Sequence, residues 1–389
     1  RHHRMAAGNP SVNLDLFMMS EAHVRDLYVG YTEKADVAVT EGVMGLFDGY
    51  DGMKGSCAEI ACMLKIPVVL IVNAKSTAYS VAPLLYGFKQ FNKQVQIVGA
   101  VFNFVASENH YSFLKQACAD AGVEALGYLP KCADVEIPSR HLGLSLDEDF
   151  CFEEFADRVA ELVEKHVNIN RLLELTKPVA TAVVPISAGR HIYKREPSFP
   201  IAVACDPAFN FVYEANIRYL HPLADTSLPD AGFVYLPGGY PELYLAALSA
   251  NRQMLQSIRR YVESGGKLLA ECGGMMYLCD EIRDKNGDVY PMAGVLHQSA
   301  TMENMKLRLG YRTLLYNETR LKGHEFHYSR LVEQQNPLPS CAVAYTAKGV
   351  ETDTPLYHYK NVWAGYTHLY WADPVGNEWF TKFVIDGNT

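Results

Sequence analysis

Cys272 lies in the segment Gly266-Lys267-Leu268-Leu269-Ala270-Glu271-Cys272-Gly273-Gly274-Met275-Met276. An apolar run ends at Ala270, and the chain turns through Glu-Cys-Gly-Gly into a helical pattern. A thiol on so sharp a strand-to-helix turn stands at a helix N-terminus, where unpaired backbone N–H groups and the macrodipole favour the thiolate. The glycines let a substrate carbonyl come close to the backbone. A buried structural cysteine is the commoner fate of the residue type, but this turn is the one on which nucleophiles are presented.

Two further stretches could complete such a site. Phe233 to Leu236 reads as a strand running into Pro237-Gly238-Gly239-Tyr240-Pro241. The N–H groups of Gly238 and Gly239, with that of Gly273 on the elbow, could donate to an oxyanion formed by attack of Cys272. An ordinary Pro-Gly turn is the plainer alternative. Downstream, Asn361 to Tyr370 places His368 inside an apolar, strand-like run. A lone histidine there is more often a satisfied core residue; beside a cysteine elbow it is the natural general base.

Glu41 follows the apolar run Val37 to Thr40 and precedes Gly42, Gly45 and Gly49. A carboxylate at a strand end beside glycines suits a Mg²⁺ ion bridging nucleotide phosphates, with Asp48 sharing the task or facing a carboxylate being activated. The alternative is a solvated acidic loop.

LPGGYPEL, AECGGMMYL, GHEFHYS (Gly323 to Ser329) and NVWAGYTHLYW together resemble the glutaminase domain of the cobyrinic acid a,c-diamide synthase family. EGVMGLFDG and SRHLGL (Ser139 to Leu144) resemble that family's amide-forming domain. The similarity covers nearly the whole chain with the motifs in order. It implies glutamine hydrolysis at Cys272, with His368 shuttling protons and Gly239 with the elbow N–H groups holding the oxyanion. It also implies ATP and Mg²⁺ in the first half, Glu41 binding the ion, and amidation of two carboxylates on a corrin precursor. Glutaminases of this type commonly carry Glu two residues after the histidine; here Tyr370 stands there, a departure expected of this branch that leaves the group orienting His368 unassigned. Nickel-sirohydrochlorin and hydrogenobyrinic acid a,c-diamide synthases share these motifs, and cobyric acid synthase is a more distant option. CTP synthase should show His-Pro-Glu at the histidine. A glutaminase-like binding or regulatory subunit is the non-enzyme alternative.

No G-x-x-x-x-G-K-[ST] occurs, although the family carries that phosphate loop upstream of the region resembling Arg4 to Asp15. The sequence opens Arg1-His2-His3-Arg4 without an initiator methionine, which reads as a chain lacking its start. Without the loop's N–H groups, weak ATP binding is expected. A polycarboxylate corrin needs cations, and Arg4, Arg140, His141, Arg308, Arg312, His324 and His327 are the candidates. An exposed arginine is more often solvated surface, and the two histidines of GHEFHYS could be buried hydrogen-bonding residues.

The 389 residues suffice for two or three domains. Net charge is -9 with no basic run beyond the first four residues, which argues against nucleic acid. No apolar segment approaches the ~20 residues of a membrane helix. Nine cysteines, scattered singly, fit a reduced cytoplasmic compartment and no zinc site. A homodimer stays possible.

The elements that must position these residues are two α/β halves. In the first, Val37–Thr40, Ile66–Asn73, Val95–Val105 and Ala125–Leu129 read as strands. Cys57–Leu64, Ser80–Phe91 and Ser107–Ala121 read as the helices between them, and Phe152–His166 as a charged helix beyond. In the second, Ile201–Cys205, Phe233–Leu236, Lys267–Ala270 and Val362–Tyr366 read as strands, with a helix at Asn251–Ser264. Continuous apolar strands separated by helices mean buried, mostly parallel open sheets with chemistry at strand C-terminal ends. The first half is expected to be P-loop-NTPase-like and the second class I glutaminase-like. Residues 1–185 are the expected synthetase domain, 186–198 the linker and 199–389 the glutaminase domain. Around Leu220 a helix reads straight into a loop where the family has a strand, so a missing segment is expected there.

Overall fold

Short, nearly all-apolar segments become buried strands in the computed structural model, which describes residues 2–132, 135, 139–140, 143–144, 151–177, 201–206, 208–209, 219–335, 337–373 and 377–386. Two units share the chain. One comprises Arg1–Ser11, Val39–Gly49 and Ser56–Val184; the other comprises Val12–Ala38, Tyr50–Gly55 and Pro185–Thr389. The expected linker lies outside the described residues.

In the first unit β1 (Val68–Asn73), β2 (Ile97–Val105) and β3 (Glu124–Pro130) form a parallel sheet in that order. Helices Val81–Phe91 and Glu108–Ala121 cover one face, sharing a core that includes Leu85, Phe102 and Leu114. Val101 and Leu126 point to the other face, toward Val163 and Leu172 of the helices Phe152–His166 and Ile169–Leu175. The helix Cys57–Leu64 starts where the Ser56 side chain accepts the Glu59 N–H, and Glu108–Ala121 where Ser107 accepts that of His110. The expected strand Val37–Thr40 is not formed: the segment is irregular and solvent-facing, with Val39 91% exposed. Its apolar composition alone could not distinguish a buried strand from an exposed loop.

The second unit contains β4 (Ile201–Ala204), β5 (Tyr219–Leu220), β6 (Phe233–Leu236), β7 (Lys267–Glu271), β8 (Arg308–Tyr316), β9 (Thr319–His327), β10 (Val343–Thr346), β11 (Glu351–Thr352), β12 (Leu356–Tyr359), β13 (Val362–Gly365) and β14 (His368–Leu369). A six-stranded sheet runs β12-β13-β7-β6-β4-β5, parallel throughout except for the edge strand β12. Near Leu220, where a missing segment is expected, the chain forms the short strand β5, which pairs Tyr219 with Val203 and Leu220 with Ala204. At two residues it is too short to leave a periodicity.

Strand alternation sorts this sheet into two faces. Val234, Leu236, Leu268 and Ala270 pack with Met254, Ile258 and Val262 of helix Arg252–Glu263. Phe233, Tyr235 and Leu269 face a second core with Leu314, Leu321, Leu369 and Trp363. That core belongs to a five-stranded antiparallel sheet, β11-β10-β8-β9-β14, which the mostly parallel reading missed. In β9 the inward positions are Leu321, Gly323, Glu325 and His327, so the period-two signal is present but two of its four buried positions are polar.

Candidate active site

β7 ends at Glu271, and Cys272 follows with φ 47° and ψ −106°, a positive φ uncommon for a non-glycine residue, before helix Gly273–Leu278 begins. The turn is pinned from both sides. The Cys272 N–H donates to the Gly365 carbonyl at 2.7 Å, and the Cys272 carbonyl accepts from Met276 N–H at 3.0 Å. Gly274 must be glycine here, because a Cβ would collide with the backbone carbonyl of Leu236. A side chain at Gly273 would meet the Pro241 ring at 2.8 Å and the Gly239 nitrogen at 3.2 Å. The Gly238–Gly239 loop therefore lies against the elbow, as expected.

On its other side that loop lies against His368, since a Cβ at Gly238 would run into the imidazole. The register explains the proximity. β13 runs parallel to β7 with Gly365 opposite Glu271, and His368 follows three residues later. Cys272, Gly238, Gly239, Gly273 and His368 thus come together at the C-terminal end of the central parallel strands.

Burial governs the electrostatics. Cys272 is 4% exposed. Its thiol is pushed well above the usual range by burial and then by the Glu242 carboxylate, against the opposing N–H of Gly273. Burial thus opposes the thiolate that a helix N-terminus would favour. His368, 2% exposed, is held down at about 3, by burial first and then by His324 and His327.

The surrounding side chains include several that sequence reasoning missed. Glu271, 1% exposed, receives the Tyr235 hydroxyl on Oε2 at 2.6 Å and the Leu369 N–H on Oε1 at 3.0 Å. Its Oε2 lies 3.8 Å from His368 Nδ1, and burial pushes its pKa up to about 8. Glu242, half-buried in the turn Pro241–Leu243, is pushed up to about 7 by burial. Glu325 forms a buried pair with Arg312 (Oε2 to Nη2, 2.9 Å). The available signal was a carboxylate closing an apolar strand, a residue type rarely buried without a partner.

The remaining candidates fall elsewhere. His324 stacks on His368 with centroids 5.0 Å apart, opposite it in the β9–β14 pairing. His327 is buried, stacked 3.8 Å from Tyr366, with Nδ1 2.9 Å from the Ser329 carbonyl. Arg308 makes a two-pronged contact with Asp353 at 2.6 and 3.0 Å. Tyr370 is bonded to His23 Nε2 at 2.8 Å. In the first unit Arg4 stands on the exposed helix His2–Ala7, Arg140 lies in the two-residue strand Ser139–Arg140, and His141 is outside the described residues. Glu41 is exposed with Oε2 2.7 Å from His3 Nε2, and Asp48 sits in a turn whose N–H donates to the Gly45 carbonyl. Among the described residues no three His, Cys, Asp or Glu side chains are grouped to hold a metal. No helix of the described residues is long and apolar enough to cross a membrane.

The second unit thus brings Cys272, a diglycine loop and the buried His368 together, and its residues 200–375 match the CobB/CobQ-like glutamine amidotransferase domain. Across 95% of its length the chain is 38% identical to the cobyrinate a,c-diamide synthase of Caldanaerobacter subterraneus subsp. tengcongensis, covering 85% of that protein. It is 35% identical to the synthase of that name from Dehalococcoides mccartyi strain CBDB1 (95% and 85% covered). With that of Methanocaldococcus jannaschii it shares 34% identity (99% and 89%). The chain belongs to the cobyrinate a,c-diamide synthase family and is an amidotransferase ligase.

Proposed function

We propose that this protein uses glutamine and ATP to convert the a and c side-chain carboxylates of cobyrinic acid to amides, a step of cobalamin biosynthesis. The reading is carried by Cys272 on its positive-φ elbow, with the Gly238–Gly239 loop between it and His368. Relatives 34–38% identical over at least 95% of the chain, each named for cobyrinate a,c-diamide synthesis, support the substrate.

In this reading Cys272 Sγ attacks the glutamine side-chain carbonyl while His368 takes the thiol proton. The Gly239 N–H, with the elbow N–H groups, receives the oxyanion. His368 returns the proton to the departing nitrogen, leaving ammonia and a glutamyl thioester, and water then cleaves the thioester to glutamate. The first unit, with helices on both faces of a parallel sheet, is the amide-forming half of P-loop-NTPase-like type. There ATP activates the corrin carboxylate that ammonia attacks. ATP and Mg²⁺ enter through the resemblance of Glu41 to Gly49.

Cys272→Ser tests the reading. Glutamine-driven amidation should vanish while amidation from free ammonia persists, and a glutamine-like electrophile should no longer label the chain. Undiminished use of glutamine by this variant would sink the assignment.

A further inference from the structure

A proton taken from Cys272 puts a positive charge on a ring that burial strongly disfavours. The titratable groups close to that ring are Glu271 on β7 and His324 and His327 on β9. Of these only Glu271 is anionic when ionised. Tyr370, two residues beyond His368, is engaged with His23. Among the described residues, Glu271 is the one carboxylate within ion-pair distance of the imidazole, Oε2 to Nδ1 3.8 Å. Its two oxygens are separately held, one by the Tyr235 hydroxyl and the other by the N–H of Leu369, the chain neighbour of His368. Tyr235 and Glu271 project to the same face because Tyr235 is in register with Leu269, two residues before Glu271. The carboxylate is thus tied to the strand that carries the base.

We propose that Glu271, the residue immediately before the nucleophile, is the positioning carboxylate of His368: it holds the Nδ1–H, leaves Nε2 to work on the thiol, and balances the imidazolium while the proton resides there. Apo contacts of this kind commonly tighten only when substrate is bound. The charge must be present for this to operate. Since burial raises Glu271 to about 8, its contribution should grow as pH rises through that value. A residue that merely glued β7 to β14 would affect activity equally at every pH.

The proposal rests on the glutaminase reading of Cys272 and His368, so glutamine hydrolysis without ATP or corrin is the assay. Glu271→Gln preserves shape and removes charge. We expect its kcat to fall about 10²-fold at pH 9, with KM within about threefold, and the gap to wild type to narrow toward pH 6. Tyr235→Phe should shift the profile the same way by a smaller factor, and it carries the test if the glutamine variant does not fold. A wild-type-to-variant ratio that is flat with pH in E271Q, or a Y235F profile superimposable on wild type, overturns the proposal and leaves Cys272 and His368 assigned. A wild-type chain that forms no glutamate from glutamine overturns both.

Discussion

Burial disfavours both the Cys272 thiolate and the His368 imidazolium, so the site depends on the arrangement of groups around them. His368→Asn should lower glutaminase turnover by about two decades or more with the thermal midpoint little changed, measured by glutamate release. If His327→Asn were the more damaging change, the base would have to be reassigned. Stability offers an independent check on Glu271. Its folded pKa of about 8 lies above the usual carboxylate value of ~4.3, so the native chain retains a proton that the unfolded chain has released between those values. That stabilisation is complete below pH ~4.3 and is lost as pH rises through about 8. The histidines, lowered in the fold, act in the opposite sense and only below ~6.5. Urea midpoints of wild type should therefore fall from pH 6.5 to 8.5 more than those of Glu271→Gln. Parallel curves would mean the carboxyl is ionised throughout. At this scale Cys272, His368 and the glycines were legible because elbow and diglycine chemistry is local in sequence. Glu271 was not, since its role depends on Leu369 and Tyr235, which the fold brings to it across 98 and 36 positions.

At the level of elements, His368 is borne by a two-residue strand, β14, whose pairing with β9 consists of Gly323 opposite Leu369 and His324 opposite His368. Gly323 permits that closeness, because a Cβ there would collide with the His368 carbonyl and lie 2.9 Å from Thr367 Cγ2. Gly323→Ala should therefore push β14 away, costing about 1–3 kcal/mol of stability and at least tenfold in glutaminase rate. An alanine variant with wild-type rate and melting curve would show that β14 can shift without consequence. Buried parallel strands such as β6 and β7 were readable from their apolar runs, Phe233–Leu236 and 268–270. The antiparallel sheet was hidden by Glu325 and His327 at inward positions, and Val37–Thr40 was misleading because exposed and buried valines have the same sequence signature.

The whole chain is interleaved: Val12–Ala38 and Tyr50–Gly55 belong with the unit that otherwise begins at Pro185. Sequence proximity hid this, since nothing in the composition of the first 55 residues distinguishes the segments of one unit from those of the other. The contacts are specific. Phe17 stacks on Tyr311 with centroids 4.5 Å apart, Tyr50 meets the same ring at 6.0 Å, and the Tyr311 hydroxyl donates to Asp15 Oδ2 at 2.5 Å. The Ser20 N–H donates to Asp373 at 2.6 Å, and His23 holds Tyr370, two residues from His368. Residues before position 39 therefore buttress the strand that carries His368 and pack with this unit although they lie far from it in sequence. Phe17→Ala in the intact chain should destabilise this unit by about 3–5 kcal/mol, as loss of a buried aromatic does, and lower glutaminase activity although Phe17 touches no reacting group. Denaturant unfolding followed alongside glutamate release decides it. A variant with unchanged unfolding midpoint and turnover would mean that Val12–Ala38 rests on the second unit without supporting it.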